Sequence, residues 1–291
     1  MSTTSAPSRS HAGAPAPAQR GKLTFGGLLV SEWIKLTTVR STVWSLAILV
    51  LISVGLGLLI ATFLEAGDAG AAGGPGGPGS PADAAAAAAT DWALTSATAG
   101  MSMASLVAAI LGALNITSEY STGMIRSSLA AVPKRLPVLF AKAVVLALVT
   151  FGVGLITLFG TYLIVTPILE GKGFEAHLDD PQTVIALIGG AAYLAIVAVF
   201  SLGLGTIIRS GAGAIAAAVG VLLILPPLFL LVPLEWLHDL APYLLSSAGG
   251  QMHTIPTGST DVEGWVAVIV SVAWAVVSLV VAAVLLKRRD A

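Results

Sequence analysis

The sequence predicts an all-α membrane protein of six transmembrane helices, with an N-terminal interfacial amphipathic helix and a short cytoplasmic coupling helix between spans two and three. Three observations predict it. Of 291 residues, 56% are hydrophobic and only 10% charged, whereas a soluble domain carries about 25% charged residues. The apolar residues fall into blocks near the roughly 20 residues that cross a bilayer at 1.5 Å rise each. Lys and Arg collect on alternate segments between those blocks, the bias that marks cytoplasmic loops.

Taken in chain order, residues 1–22 are rich in Ser, Ala and Pro and read as a disordered cytoplasmic tail, too poor in apolar surface to fold. They are no cleavable signal peptide, because the first apolar block starts at Val43 and is too long for an h-region. Residues 23–42 form the interfacial helix: Phe25, Leu29, Trp33 and Leu36 recur at helical spacing, Trp33 serves as an anchor, and Glu32, Lys35 and Arg40 are the charges. The spans are 43–63, 94–114, 143–165, 184–208, 212–232 and 265–286, within a transmembrane domain 43–291. Residues 64–93, with a stretch almost entirely of Gly, Ala and Pro, read as a flexible outer loop.

The second block is the weakest, since Thr95, Ser96, Thr98, Ser102 and Ser105 dilute it, yet it holds no charge. Charge placement requires it. With six spans and a cytoplasmic start, every one of the 14 Lys and Arg residues except Lys172 lies inside; without the second span Arg126, Lys134, Arg135 and Lys142 would fall outside, against the positive-inside bias. Both termini are then cytoplasmic and the expected location is the plasma membrane. Lys142 and the cluster Lys287, Arg288 and Arg289 read as topology determinants that snorkel or meet anionic lipid.

Composition and motifs exclude several functions. A net charge of −1 gives no ground for nucleic-acid binding, and zero cysteines exclude thiolate chemistry and disulfides. No Asp, Glu, Lys, Arg or His lies within any of the six blocks. A proton-driven carrier is therefore disfavoured, although a sodium site of carbonyls and hydroxyls stays open. No Walker A loop, nucleophile elbow or zinc-protease helix is present, so the chain is expected to be no enzyme and to hold no cofactor. Glu235 and His238 have the E-x-x-H spacing of di-iron bundles, but a lone copy reads as a solvated helix face.

The inner loop between spans two and three is more informative. Ile125, Leu129 and Val132 recur at i, i+4 and i+7, giving a short helix with one apolar face, bounded by Pro133 and Pro137. Glu119 sits at the membrane edge beside Tyr120, and Gly123 permits a tight turn. The run Ser31-Glu32-Trp33-Ile34-Lys35 with Arg40-Ser41-Thr42, and the run from Glu119 to Arg126 leading into Pro133-Lys134-Arg135 and Ala141-Lys142, resemble the permease subunit of the type-two ABC exporter family in its actinobacterial form.

That resemblance, covering about Leu28 to Arg289, implies a permease that dimerises, most simply with a second copy of itself, and docks a separate ABC ATPase subunit, which binds the ATP and Mg. It implies docking through Glu32, Lys35, Arg40, Glu119, Tyr120, Gly123, Ile125, Arg126, Leu129, Val132, Lys134 and Arg135. It also implies short helices dipping into the outer leaflet between spans five and six, for which Pro233 to Leu245 is the candidate. Thr95, Ser102, Ser105 and Asn115 are pathway candidates, with helix packing the stronger reading for such hydroxyls; Gly213, Ala217 and Gly220 also read as close packing. The alternatives are an ion-coupled secondary carrier and a non-transporting membrane anchor or sensor subunit.

Overall fold

The computed structural model describes residues 24–64, 91–123, 135–255 and 264–288, and among these no strand occurs. An interfacial helix, Phe25–Thr38, precedes six helices long and apolar enough to cross a membrane. The first span is Arg40–Phe63. The second is built of Trp92–Thr98 and Met101–Ser121, joined at Ala99-Gly100. The third is Arg135–Glu170 and the fourth Pro181–Ile208. The fifth is Gly211–Val219, a π-helical turn Gly220–Ile224, and Leu225–Leu231. The sixth is Gly264–Arg288.

Local chemistry accounts for the helix starts. Asp91 accepts the Leu94 N–H at 2.9 Å, Asp180 accepts the Gln182 N–H at 2.9 Å ahead of Pro181, and Thr24 accepts the Gly27 N–H at 3.3 Å. Each satisfies a backbone donor that the first turn leaves without a partner. The π turn has an equally local cause: Pro226 and Pro227 carry no N–H, so the ordinary ladder cannot continue through them. Instead the Leu225 N–H reaches back five residues to the Gly220 carbonyl.

The second and fourth spans are the interior of the bundle, with 61% and 67% of their most apolar windows buried, against about 20% for the first, fifth and sixth. This explains the weak apolar signal of the second span. A helix surrounded by protein rather than lipid does not need a uniformly apolar surface, and small hydroxylated residues allow close packing. Ser96, Thr98 and Ser105 are buried there. The Thr98 hydroxyl donates to the Leu94 carbonyl and the Ser105 hydroxyl to the Ser102 carbonyl.

Several expectations are corrected. The helices overrun their apolar blocks, because helical hydrogen bonding continues past the hydrocarbon boundary; the second span reaches Ser121 and the third begins at Arg135. Glu119 and Lys142 therefore lie on span helices. The expected stripe on the interfacial helix divides: Leu29 and Leu36 pack inward with Glu32, whereas Phe25 and Trp33 face outward, 48% and 52% exposed. Gly213 packs closely against Ile208, the last residue of the fourth span, whereas Gly220 faces open space. Other close glycine approaches include Gly112 against Ala198, Gly189 against Met252, Gly203 against Ser278 and Gly205 against Ile116. The tail 1–22, most of the outer loop and the inner helix carrying Ile125, Leu129 and Val132 lie outside the described residues.

Between the fifth and sixth spans the chain forms short helices, Glu235–Leu240, Ala241–Tyr243 and Leu245–Gln251. Trp274 on the sixth span ties them down, its Nε1–H donating to the Tyr243 carbonyl at 3.0 Å. Glu235 and His238 are both exposed on this segment, as a solvated helix face requires. At the other end of the first span, Lys172 donates to the carbonyls of Ala61, Thr62 and Leu64. Lys172 thus satisfies carbonyls that a helix C-terminus leaves open.

Candidate functional site

Four ionisable side chains from three elements meet at one end of the bundle, where the second span ends and the third begins. Lys142 on the third span donates to Glu32 Oε2 at 2.6 Å and to Glu119 Oε1 at 2.9 Å. Lys35 donates to Glu32 Oε1 at 2.8 Å and Glu119 Oε1 at 3.1 Å. Two cations and two carboxylates thus form a closed neutral network joining the interfacial helix, the second span and the third. Glu32, Glu119 and Lys142 are 3%, 6% and 2% exposed, while the Lys35 side chain keeps about a third of its surface.

The expectation that Lys142 snorkels to lipid is corrected by this geometry. A lysine near the membrane boundary ordinarily extends its ammonium to water or phosphate, but here two carboxylates are closer and themselves need a cation once buried. Burial by itself would raise the Glu32 carboxyl; the charge and hydrogen bond of Lys142, with Lys35 beside it, outweigh burial and hold it below its ordinary 4.5. Burial likewise opposes the charge on Lys35, and Glu32 and Glu119 override it, holding the ammonium above its ordinary 10.5.

The signs fix a pH window. A carboxylate whose pKa is lowered on folding contributes stability above its unfolded value and loses it as pH falls through the folded one; a lysine raised on folding contributes below its unfolded value and loses it as pH rises through the folded one. Glu32 and Lys35 are therefore charged across neutral pH. The thermal unfolding midpoint in detergent is expected to be flat from about pH 7 to about pH 9, to fall below about pH 6 because burial holds His253 down to about 4 so that the unfolded chain takes up its proton first, and to fall further below about pH 4 as Glu32 protonates. A midpoint that changes steadily across neutral pH would contradict the assigned charge states.

Tyr120, next to Glu119, faces a different neighbour. The Arg209 guanidinium lies over its ring, 5.4 Å from the centroid, a cation–π distance. Arg209 closes the fourth span in a left-handed conformation, φ 59°, its N–H bonded to the Gly205 carbonyl at 2.9 Å. Glu119 and Tyr120 thus fix the C-terminal end of the second span to different elements, the third span on one side and the turn between the fourth and fifth on the other.

A cavity of about 400 Å³ adjoins the network, bounded by the interfacial helix, the start of the first span and the inner half of the second. Asn115 and Glu119, one helical turn apart, both line it. Asn115 Oδ1 and Glu119 Oε2 are buried and accept no hydrogen bond among the described residues.

The remaining predicted residues are placed as follows. Glu32, Lys35 and Glu119 come together in the network, with their charges turned toward one another; Arg40 is exposed at the start of the first span and Gly123 is exposed with φ +72°. Ile125, Arg126, Leu129, Val132 and Lys134 lie outside the described residues, and Arg135 opens the third span. Of the pathway candidates, Ser105 is buried between helices and Thr95 and Ser102 are exposed on the second span; Asn115 alone lines the cavity.

Sequence reasoning missed one polar cluster at the opposite end. Asp91, 6% exposed, accepts from Tyr162 at 3.2 Å and Thr183 at 3.0 Å besides capping its own helix. Its signal was faint, a single acidic residue at the edge of an apolar block. Asp91 and Glu119 sit at the two ends of the second span, about 40 Å apart at 1.5 Å per residue, with no ionisable residue between them on that span. Among the described residues no group of three or more His, Asp or Glu is placed to hold a metal ion. No family model matches the chain, and no curated protein matches it.

Proposed function

We propose that this chain is the membrane-spanning permease subunit of an ATP-driven exporter, working as a dimer with separate ATPase subunits docked on its cytoplasmic face. The observation that supports this most is the neutral network of Glu32, Lys35, Glu119 and Lys142. It joins the interfacial helix to spans two and three, at the root of the inner segment 124–134. A push on that segment enters the bundle through Glu119 on one side and through the third span on the other. The ion pairs make the interfacial helix move with them, and the Tyr120–Arg209 contact extends the connection to the fourth and fifth spans.

Such a device transmits force and hydrolyses nothing, in keeping with a chain that has no phosphate-binding loop. ATP and Mg belong to the partner in this reading. Ile125, Leu129 and Val132 supply the apolar docking area, with Arg126, Lys134 and Arg135 orienting the partner around it. Glu32 and Glu119 then act inside the permease and Arg40 on its surface.

The test is co-purification from detergent-solubilised membranes. An ATP-binding subunit encoded separately is expected to purify with the chain and to show ATPase activity, and Leu129→Asp is expected to remove it while the permease still inserts. A chain that purifies alone, or a partner retained undiminished by Leu129→Asp, overturns the proposal.

A further inference from the structure

We propose that the groove between the third and sixth spans is a binding site for one acyl chain of an anionic phospholipid, whose headgroup Lys287 holds. The inference stands apart from the exporter reading, since a carrier or an anchor subunit would offer the same groove.

The groove rests on a pattern in the sequence. Val276, Leu279, Val280, Ala283, Val284 and Lys287 recur at i, i+3, i+4, i+7, i+8 and i+11 on the sixth span, so they share one face of that helix. All but the last are apolar, and the lysine closes the row in the final turn. Leu136 and Phe140, one turn apart at the start of the third span, form the opposite wall of a cavity of about 220 Å³. Val276, Val280, Val284 and Phe140 are exposed, so the groove opens outward from the bundle.

Its dimensions fit a lipid tail. From Val276 to Lys287 the helix rises about 16 Å, close to half of the roughly 30 Å hydrocarbon core, which is the depth of one leaflet. A polymethylene chain about 4 Å thick at van der Waals contact fills roughly 200 Å³ over that length. A helix of a second copy, about 10 Å across, is too broad for the same space.

Charge selects the headgroup. Lys287 is the only charged side chain lining the cavity among the described residues, and it makes no ion pair among them. Arg288 is exposed beside it, Arg135 opens the third span next to Leu136, and Arg289 and Asp290 follow in the sequence. Three cations to one anion at the end of the sixth span, with a further cation at the start of the third, favour a phosphate that keeps its net charge over one balanced by choline.

The test uses the full chain purified in mild detergent and mixed with equal amounts of phosphatidylglycerol and phosphatidylcholine bearing the same acyl chains, with bound lipid read by native mass spectrometry. Phosphatidylglycerol is expected to be retained about fivefold over phosphatidylcholine, the ratio for about one cation meeting an anionic headgroup. Lys287→Gln is expected to cut that ratio by at least half. Val280→Trp fills the groove from an exposed position with every cation in place, and is expected to release the retained lipid. Ala283→Trp does the same from the next turn, so that one of the pair failing to fold still leaves the other. Equal retention of the two lipids, a ratio unmoved by Lys287→Gln, or a preference that survives the tryptophan variants overturns the proposal; the last is what attraction spread over the surface predicts. A lipid-free dimer that Val280→Trp dissociates also overturns it and assigns the groove to a second copy.

Discussion

Replacing Lys142 by Met is expected to destabilise the protein by about 3–5 kcal/mol, the usual cost of leaving a buried charge without its partner. Lys142 is 2% exposed and holds Glu32 at 2.6 Å and Glu119 at 2.9 Å. With it gone, two buried carboxylates share the single, partly exposed Lys35. Met matches the length and apolar character of the lysine stem, so the loss reports charge rather than packing. The thermal midpoint of the detergent-purified variant measures it, and adding Glu119→Gln to Lys142→Met should recover part of the loss by removing one of the stranded charges. A Lys142→Met protein that melts with the wild type would mean that the interfacial helix is held by Leu29 and Leu36 alone, and that the ion pairs carry no mechanical coupling.

The spans were legible because apolar length is a one-dimensional property, and the six predicted blocks correspond to six helices. Their ends were not, since a helix stops where its backbone and caps stop, not where lipid does. That difference of a turn or more brought Glu119 and Lys142 onto the spans and hid the network. A signal was nevertheless present: between residues 24 and 288, Glu32 and Glu119 are the only acidic residues on the inner segments. Two isolated carboxylates, one on the amphipathic segment and one near the edge of an apolar block, among segments crowded with Lys and Arg, are candidates for pairing with the lysines placed at the same depth. The Asp91 cluster had no comparable signal, because its hydroxyl partners are 71 and 92 residues away in sequence. Which glycines pack closely was equally hidden, since a small residue on a lipid-facing helix and one at a helix crossing look alike in the chain.

Gly112→Ala is the expected result that distinguishes those two kinds of glycine. A Cβ built on Gly112 would fall well inside the van der Waals envelope of the Ala198 carbonyl oxygen, so the second and fourth spans cross there backbone against backbone. Because the obstacle is main chain, no rotamer change relieves it. The two most buried spans must move apart, and the contacts around Ala108, Ala109 and Leu202 loosen with them. Overpacking ordinarily costs about 1–3 kcal/mol; with helix backbone on both sides, the loss is expected at or above the top of that range. Gly152→Ala is the control. Gly152 lies within the third span with nothing within 4 Å of the added Cβ, so the same substitution should be neutral or stabilising by about 0.5–1 kcal/mol through backbone entropy. Paired melting curves in one detergent decide it: opposite signs establish the crossing of the second and fourth spans as the rigid axis of the bundle, and equal small effects would show that the two helices do not meet at Gly112.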